Sequence, residues 1–331
     1  MKNLVTGATG FVGSHIVEKL LEDGPEVVAM ARKTSDTSFL KKLGVEIRYG
    51  SVTEISKAYD ATIGIDRVFH AAAVTDEWLP KTLSYKVNVC GTTNMLEASY
   101  ENKVKRFFFI SSLSVMGLKN HYNTDEYTDY HKCGDPYIDT KIEAEKNVWK
   151  FSEFGMPITV LRPGFMYGPR DRRFMKRILE KLRTNGFIFI GSGENKLNLN
   201  YAGNLADAVV LASKTDDSIG QVYNIANDDA SLDMKTFIYK VADLWGYDRP
   251  QKHMPVPVAK IGTSLMESSA RLMNKKEPPL LTKTRLKFLS LNLQFDITKA
   301  KQQLGFQNNV DIDKGLTITK EWIGKNGPYE C

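Results

Sequence analysis

Tyr137 and Lys141 stand four apart in the run Tyr137-Ile138-Asp139-Thr140-Lys141, which opens a helical pattern, so phenol and ammonium share one helix face. An ammonium beside a phenol favours the phenolate and lowers its pKa from about 10 toward working pH, where it can exchange a proton with a carbinol or carbonyl oxygen. Upstream, the apolar run 107–110 leads straight into Ser111-Ser112-Leu113-Ser114, which places hydroxyls at the carboxyl end of a strand. One of these serines would hold the same oxygen by a hydrogen bond. A second constellation lies at the start of the chain, where Gly7, Gly10 and Gly13 separate a strand pattern from a helix pattern. Gly7 can turn at positive φ, Gly10 admits a ligand to bare backbone, and Gly13 lets the helix pack on the strand. Free N–H groups and the helix dipole at that turn would hold a pyrophosphate, so the motif predicts dinucleotide binding.

The second strand pattern, Val27-Val28-Ala29-Met30, runs into Ala31-Arg32-Lys33. In dinucleotide-binding sheets this strand end faces the adenine ribose, and a carboxylate there accepts hydrogen bonds from a free 2′-hydroxyl. Here two cations replace the carboxylate, which favours NADP(H). NAD(H) stays possible, because an arginine can also stack on adenine.

These groups need a scaffold that brings strand ends together. Short apolar runs at 4–5, 27–30, 45–47, 68–69, 107–110 and 158–161 alternate with amphipathic stretches such as 12–21 and 83–100. Strands separated by helices of that length imply right-handed crossovers, hence an α/β fold with a doubly wound parallel sheet covered on both faces. After Pro163 the alternation loosens into a basic helix at 170–183, a strand at 187–190, a helix at 205–212 and a strand at 222–225. From Leu232 the pattern is mostly helical, broken at Pro250, Pro255, Pro257, Pro278 and Pro279. The expected division is a dinucleotide-binding domain over 1–165 and 195–226, and a smaller, mostly helical substrate domain over 166–194 and 227–331.

Composition narrows the function classes. The 331 residues are 42% hydrophobic, which supplies a sizeable core, and the net charge of +6 is scattered rather than clustered, so nucleic acid is not an expected partner. Cys90, Cys133 and Cys331 have no paired spacing, which argues against disulfides and against a metal site, and fits a reducing cytoplasm. The first residues already read as a strand, so no secretory leader is expected, and no apolar run reaches the roughly 20 residues of a membrane span. The segment 256–273 is amphipathic, with Val258, Ile261, Leu265, Leu272 and Met273 as apolar positions. It reads as a wall or lid of an apolar pocket, as a peripheral membrane contact, or as a helix packed on its own domain.

With these residues in view, the chain closely resembles the extended short-chain dehydrogenase/reductase superfamily of NAD-dependent epimerase/dehydratase type, over nearly its whole length. The resemblance implies a Ser-Tyr-Lys site made of Ser112, Tyr137 and Lys141. Ser112 lies five residues before Gly117 and at the family's usual interval from Tyr137, with Ser111 and Ser114 as nearby alternatives. It also implies a pyrophosphate cradle from Thr6 through Gly7, Ala8, Thr9, Gly10, Phe11, Val12 and Gly13, and a cofactor-lining loop at His70-Ala71-Ala72-Ala73. Asn88 matches the family's helix asparagine, while Arg162-Pro163-Gly164 and Tyr167-Gly168-Pro169 match the loop beside the nicotinamide amide. Ser51 and Val52 occupy the adenine side, where Ser51 departs from the usual aspartate.

Tyr201-Ala202-Gly203-Asn204 and Pro278-Pro279-Leu280-Leu281-Thr282 resemble the 3β-hydroxysteroid dehydrogenase-like branch, features shared by dihydroflavonol-type and 2-alkyl-3-ketoalkanoate reductases. The implied activity is hydride exchange between NAD(P) and a secondary alcohol or ketone on a largely apolar small molecule. The alternative is a nucleotide-sugar epimerase or dehydratase, which would use Arg285 and the bases of 170–177 for a diphosphate. A homodimer through helices around 92–100 and 142–151 is also implied, with Leu96, Ile142 and Val148 either in that contact or in the core. Trp78 and Leu79 are candidates to face substrate.

Overall fold

The computed structural model describes residues 1–327 apart from 230, 231, 274 and 276, so Cys331 lies outside the described residues. The first half alternates as the apolar runs require: β1 (Lys2–Thr6), α1 (Phe11–Glu22), β2 (Glu26–Ala31), α2 (Ser38–Lys42), β3 (Glu46–Tyr49), α3 (Ile55–Thr62) and β4 (Arg67–His70). One long helix then runs in three pieces, α4 (Lys81–Tyr85), a π-helical turn (Lys86–Cys90) and α5 (Gly91–Glu101). After it come β5 (Arg106–Ile110), a 3₁₀ turn (Leu113–Met116), β6 (His121–Thr124), α6 (Pro136–Glu153) and β7 (Ile158–Pro163). The second half comprises β8 (Phe165–Tyr167), α7 (Phe174–Arg183), β9 (Phe189–Ile190), β10 (Leu199–Tyr201), α8 (Ala202–Lys214), β11 (Gln221–Ile225) and α9 (Met234–Trp245). It closes with β12 (His253–Met254), α10 (Val256–Leu272), α11 (Lys283–Ser290), β13 (Leu293–Phe295), α12 (Thr298–Leu304) and α13 (Ile312–Asn326).

Seven of these strands form one parallel sheet in the order β3-β2-β1-β4-β5-β7-β11. Both faces are covered, and alternate residues supply each face. Val5, Phe69 and Phe108 pack on one side with Ile16 and Leu20 of α1 and Leu205 and Val209 of α8. Leu4, Val68 and Phe107 pack on the other with Ala58 of α3, Met95 and Leu96 of α5, and Val148 of α6. Phe69, Phe107, Phe108 and Phe109 are all fully buried, and each such ring contributes about 2–3 kcal/mol by its burial. Leu96, Ile142 and Val148 are also fully buried, so they belong to the helix-to-sheet core rather than to any surface.

A second core gathers Tyr167, Met175, Phe237 and Leu316 from the later elements. The chain nevertheless returns to the sheet near its end. Leu293, Phe295, Ile297, Ala300, Leu304 and Phe306 lie in the sheet-side core, although the sequence pattern groups them with the second half. The expected helix at 170–183 starts only at Phe174, because buried Asp171 accepts hydrogen bonds from the N–H groups of Arg173, Phe174 and Met175 and so caps the helix there. Among the described residues, no helix is long and apolar enough to cross a membrane.

Candidate active site

In a parallel sheet all carboxyl ends share one edge, and the strand order reverses between β1 and β4, which opens a crevice there. Gly7 turns the chain out of β1 at φ +68°, and a side chain there would strike the backbone of Ala72 at 2.8 Å. A methyl at Gly13 would lie 2.2 Å from the Gly7 carbonyl oxygen, so α1 can pack this close only with glycine. Gly10 caps α1 with no side-chain hydrogen bond, and the helix's first N–H groups are left for a ligand. A tight glycine turn that leaves backbone N–H groups free at a helix N-terminus fits a dinucleotide pyrophosphate.

The neighbouring strand ends supply the rest of that edge. Arg32 and Lys33 follow β2, are exposed, and make no ion pair among the described residues. Ser51 follows β3 with its hydroxyl 2.9 Å from that of Thr53, while buried Val52 packs on Gly91. Ala71, Ala72 and Ala73 run past Gly7, held by a polar thread that the sequence did not reveal. Ala72 N–H donates to the Thr6 hydroxyl, which contacts His70 Nδ1 at 2.8 Å, and His70 Nε2 contacts the Thr92 hydroxyl at 3.0 Å. Burial, with Lys141 nearby, pushes the His70 pKa down to about 3, so its ring stays neutral. Asn88 sits in the π-helical turn and brackets Val74, accepting from its N–H at 2.7 Å and donating to its carbonyl at 2.9 Å. Its amide also reaches the Thr140 hydroxyl, tying the loop to α6.

Tyr137 stands in the first turn of α6 because Asp135 caps that helix, accepting from the N–H groups of Tyr137 and Ile138, and Pro136 opens it. Ser112 lies opposite, at the N-cap of the 3₁₀ turn, with its hydroxyl 2.8 Å from that of Ser114. Burial pushes the Tyr137 phenol up to about 12, while hydrogen bonding with Ser112 pulls it down and Asp135 pushes it up. Lys141 is directed elsewhere than the helical spacing suggested. Its ammonium donates to the Ile110 carbonyl at 2.7 Å and lies 4.6 Å over the Phe109 ring, and burial pushes its pKa down to about 8.

The structure separates the adjacent serines. Ser111 is buried and its hydroxyl donates to Glu145, whereas Ser112 is only partly buried and stands by Tyr137. Glu145 is the hub of a polar knot absent from the sequence reading: it also pairs with Arg162 at 2.6 Å and accepts from the Tyr130 hydroxyl at 3.0 Å. Both partners of that ion pair are buried, and Arg162 donates further to the Glu126 carbonyl. Only pairwise placement of α6 and β7 reveals it. Pro163 ends β7, and Gly164 is required by backbone rather than ligand, since a Cβ there would lie 2.1 Å from the Asn198 carbonyl oxygen.

The loop after β8 reaches back to α1. His15 Nε2 contacts the Pro169 carbonyl at 2.9 Å, and Arg170 donates to Ser14 and Glu18 while stacking 4.5 Å over Phe39. Burial and Arg170 push the His15 pKa down to about 3. Beside the start of α6 lies a cavity of about 210 Å³, lined by Trp78, Leu118, Cys133 and by charged groups of both halves. Its acids are engaged: Glu77 pairs with Arg285 at 2.7 Å, Asp135 caps α6, and Glu267 bonds Arg271. Lys283 and Lys287 line it without an ion pair among the described residues. Helix α10 does wall this cavity, but through Glu267 and Arg271, while its apolar positions Val258, Ile261, Leu265 and Leu272 are exposed. Trp78 lines the cavity, and Leu79 is exposed.

Comparison with known proteins agrees with this fold. The NAD dependent epimerase/dehydratase family matches residues 3–226. A sterol-4-alpha-carboxylate 3-dehydrogenase (decarboxylating) of Candida albicans is 30% identical over 98% of this chain and 97% of its own length. A 2-alkyl-3-oxoalkanoate reductase of Shewanella oneidensis is 28% identical over 96% of this chain and 84% of its own. The crystal structure of gox2253 superposes with a TM-score of 0.83 at 26% identity, covering 99% of both chains. With a family match that spans the glycine turn, the sheet and the Tyr137 helix, the chain belongs to the NAD-dependent epimerase/dehydratase family, the extended short-chain dehydrogenase/reductases.

Proposed function

We propose that this protein is an NAD(P)-dependent dehydrogenase or reductase that interconverts a secondary alcohol and a ketone on a largely apolar molecule carrying a carboxylate. The observation that carries it is the Ser112 and Tyr137 hydroxyl pair at the sheet's carboxyl edge, near the glycine turn and a cavity whose cations without an ion pair, among the described residues, are Lys283 and Lys287. Both relatives named above act, by their names, on molecules with a carboxylate, and the two lysines offer the matching charge.

The bound dinucleotide would supply or accept the hydride. Ser112 orients the substrate oxygen and Tyr137 exchanges the proton with it. With its pKa pushed up to about 12, Tyr137 keeps its proton at neutral pH and is ready to donate it during reduction; its action as a base in oxidation grows as pH rises. Lys141 holds charge at the strand end and would bind the cofactor ribose. Gly7 to Gly13, Ala71 to Ala73, Asn88, Ser51 and Val52 would form the rest of the cofactor wall, with Pro163, Ser111 (held by Glu145) and Gly164 (packed on Asn198) behind it. Arg32 and Lys33 would favour NADP(H), by charge-assisted contacts worth about 1.5–3 kcal/mol each. Two bases that a nucleotide-sugar reading needs are already engaged, Arg285 with Glu77 and Arg170 with Glu18. We further place the protein in the cytoplasm as a homodimer through the outer faces of α5 and α6, where Tyr100 on α5 and Phe154 just after α6 are exposed.

Turnover of 3-oxo acids with NADPH tests this reading. Tyr137→Phe should lose about 10²–10⁴-fold in kcat. Retention of activity within a few-fold, or an epimerised UDP-sugar formed without net change in cofactor absorbance, overturns it.

A further inference from the structure

Helix α10 is inside out for a helix facing water. Its buried positions are the small residues Ala259, Thr263 and Ala270, while Val258, Ile261, Leu265 and Leu272 are 55%, 66%, 68% and 86% exposed. A surface helix ordinarily turns its large apolar side chains inward. The stripe continues past the helix end in exposed Met273 and Leu280, well beyond the scattered single residues of an ordinary surface.

The charges around this face discriminate among possible occupants. Between residues 256 and 290, the described charged side chains that are exposed and without an ion pair are Lys260, Lys275, Lys283 and Lys287, against Glu277 alone. Glu267 is taken by Arg271. A second copy placed face to face would bring these cations together, whereas an anionic lipid surface satisfies both the apolar stripe and its basic border. The helix is also rigidly joined to the site. Arg271 stacks 4.6 Å over Trp78, and the Trp78 indole donates to the Lys275 carbonyl at 2.8 Å.

We infer that α10 docks this protein on an anionic membrane surface, with Val258, Ile261, Leu265 and Leu272 inserted at the headgroup boundary. The roof of the cavity then lies against lipid, so an apolar substrate could pass between bilayer and site without crossing water.

Vesicle flotation tests this without any measurement of catalysis, so its outcome is independent of the redox reading. The wild-type chain should float with phosphatidylglycerol-containing vesicles at low salt and at least tenfold less with pure phosphatidylcholine. The Ile261→Asp/Leu265→Asp variant should lose flotation while keeping its melting temperature, and Lys260→Glu/Lys275→Glu should weaken it several-fold. Wild-type protein that stays in the soluble fraction, or an equal flotation of the aspartate variant, overturns the inference. So does sedimentation showing that the aspartate variant merely dissociates a dimer.

Discussion

Two glycines in two helices meet opposite surroundings. At Gly13 in α1 a methyl would sit 2.2 Å from a carbonyl oxygen, and at Gly262 in α10 it would find nothing within 4 Å. The contrast extends to the regions around them. At the sheet edge each side chain answers to another part of the same chain: Gly7 to Ala72, His70 to Thr6 and Thr92, Asn88 to Val74, Glu145 to Arg162. Over the cavity, α10 buries small residues and exposes large ones, so its outer form is not set by contacts within the chain. One region is built to hold a ligand in fixed geometry, and the other is shaped for something outside the fold.

The sharpest way to break this contrast is at Glu145. Glu145→Gln keeps the shape but leaves Arg162 buried and without its counter-charge, and Tyr130 and Ser111 with a weaker acceptor. Removing one partner of a buried pair costs about 3–5 kcal/mol, so the urea midpoint should fall accordingly. A loss below about 1 kcal/mol, the range of a surface pair, would mean that the sheet edge is no more rigid than the roof.

Gly13→Ala comes next. The added methyl gains helix propensity of about 1 kcal/mol, but the overlap with Gly7 forces α1 away from the turn, a cost that typically reaches about 1–3 kcal/mol and here exceeds the gain. Cofactor affinity should fall with stability, read by fluorescence titration with NADPH. Unchanged affinity in a stable variant would separate the cradle's shape from its function.

These residues also show what could be read in advance. Gly7, Gly10 and Gly13 were legible because a turn that forbids Cβ leaves its mark in residue type alone, and Tyr137 and Lys141 because helical spacing is a local property. The direction of Lys141 was not legible: its partner is the Ile110 carbonyl, in a strand brought near only by the sheet. For the same reason the sequence left Ser111, Ser112 and Ser114 as alternatives, since what occupies Ser111 is Glu145 on α6. Periodicity revealed that α10 has an apolar face. It could not say which way that face points.

Per pH unit, a smaller effect comes with acid. His15 and His70 have folded pKa values near 3 against about 6.5 in an unfolded chain, so the unfolded state takes up two protons that the folded state refuses. Their stabilisation is complete above pH 6.5 and is lost as pH falls toward 3, at up to about 1.4 kcal/mol per pH unit for each ring. Urea stability measured from pH 7 to pH 4 should fall with a slope that drops by one proton in His70→Gln. An unchanged slope would mean that the ring at the sheet edge is reached by water and protonated in the folded protein.

The smallest change probes the other side of the contrast. Gly262→Ala in α10 adds a methyl that meets no atom, restricts the unfolded chain, and replaces a poor helix former by the best. The gain should be about 0.5–1 kcal/mol, a rise in melting temperature of about 1 °C. The same substitution is therefore expected to have opposite signs in the two helices. If Gly262→Ala destabilises instead, α10 is packed against something within the chain as closely as α1 is, and the difference between the two regions disappears. If it stabilises while leaving flotation on anionic vesicles unchanged, the helix is held by its small inner face, and its large outer side chains are left for binding.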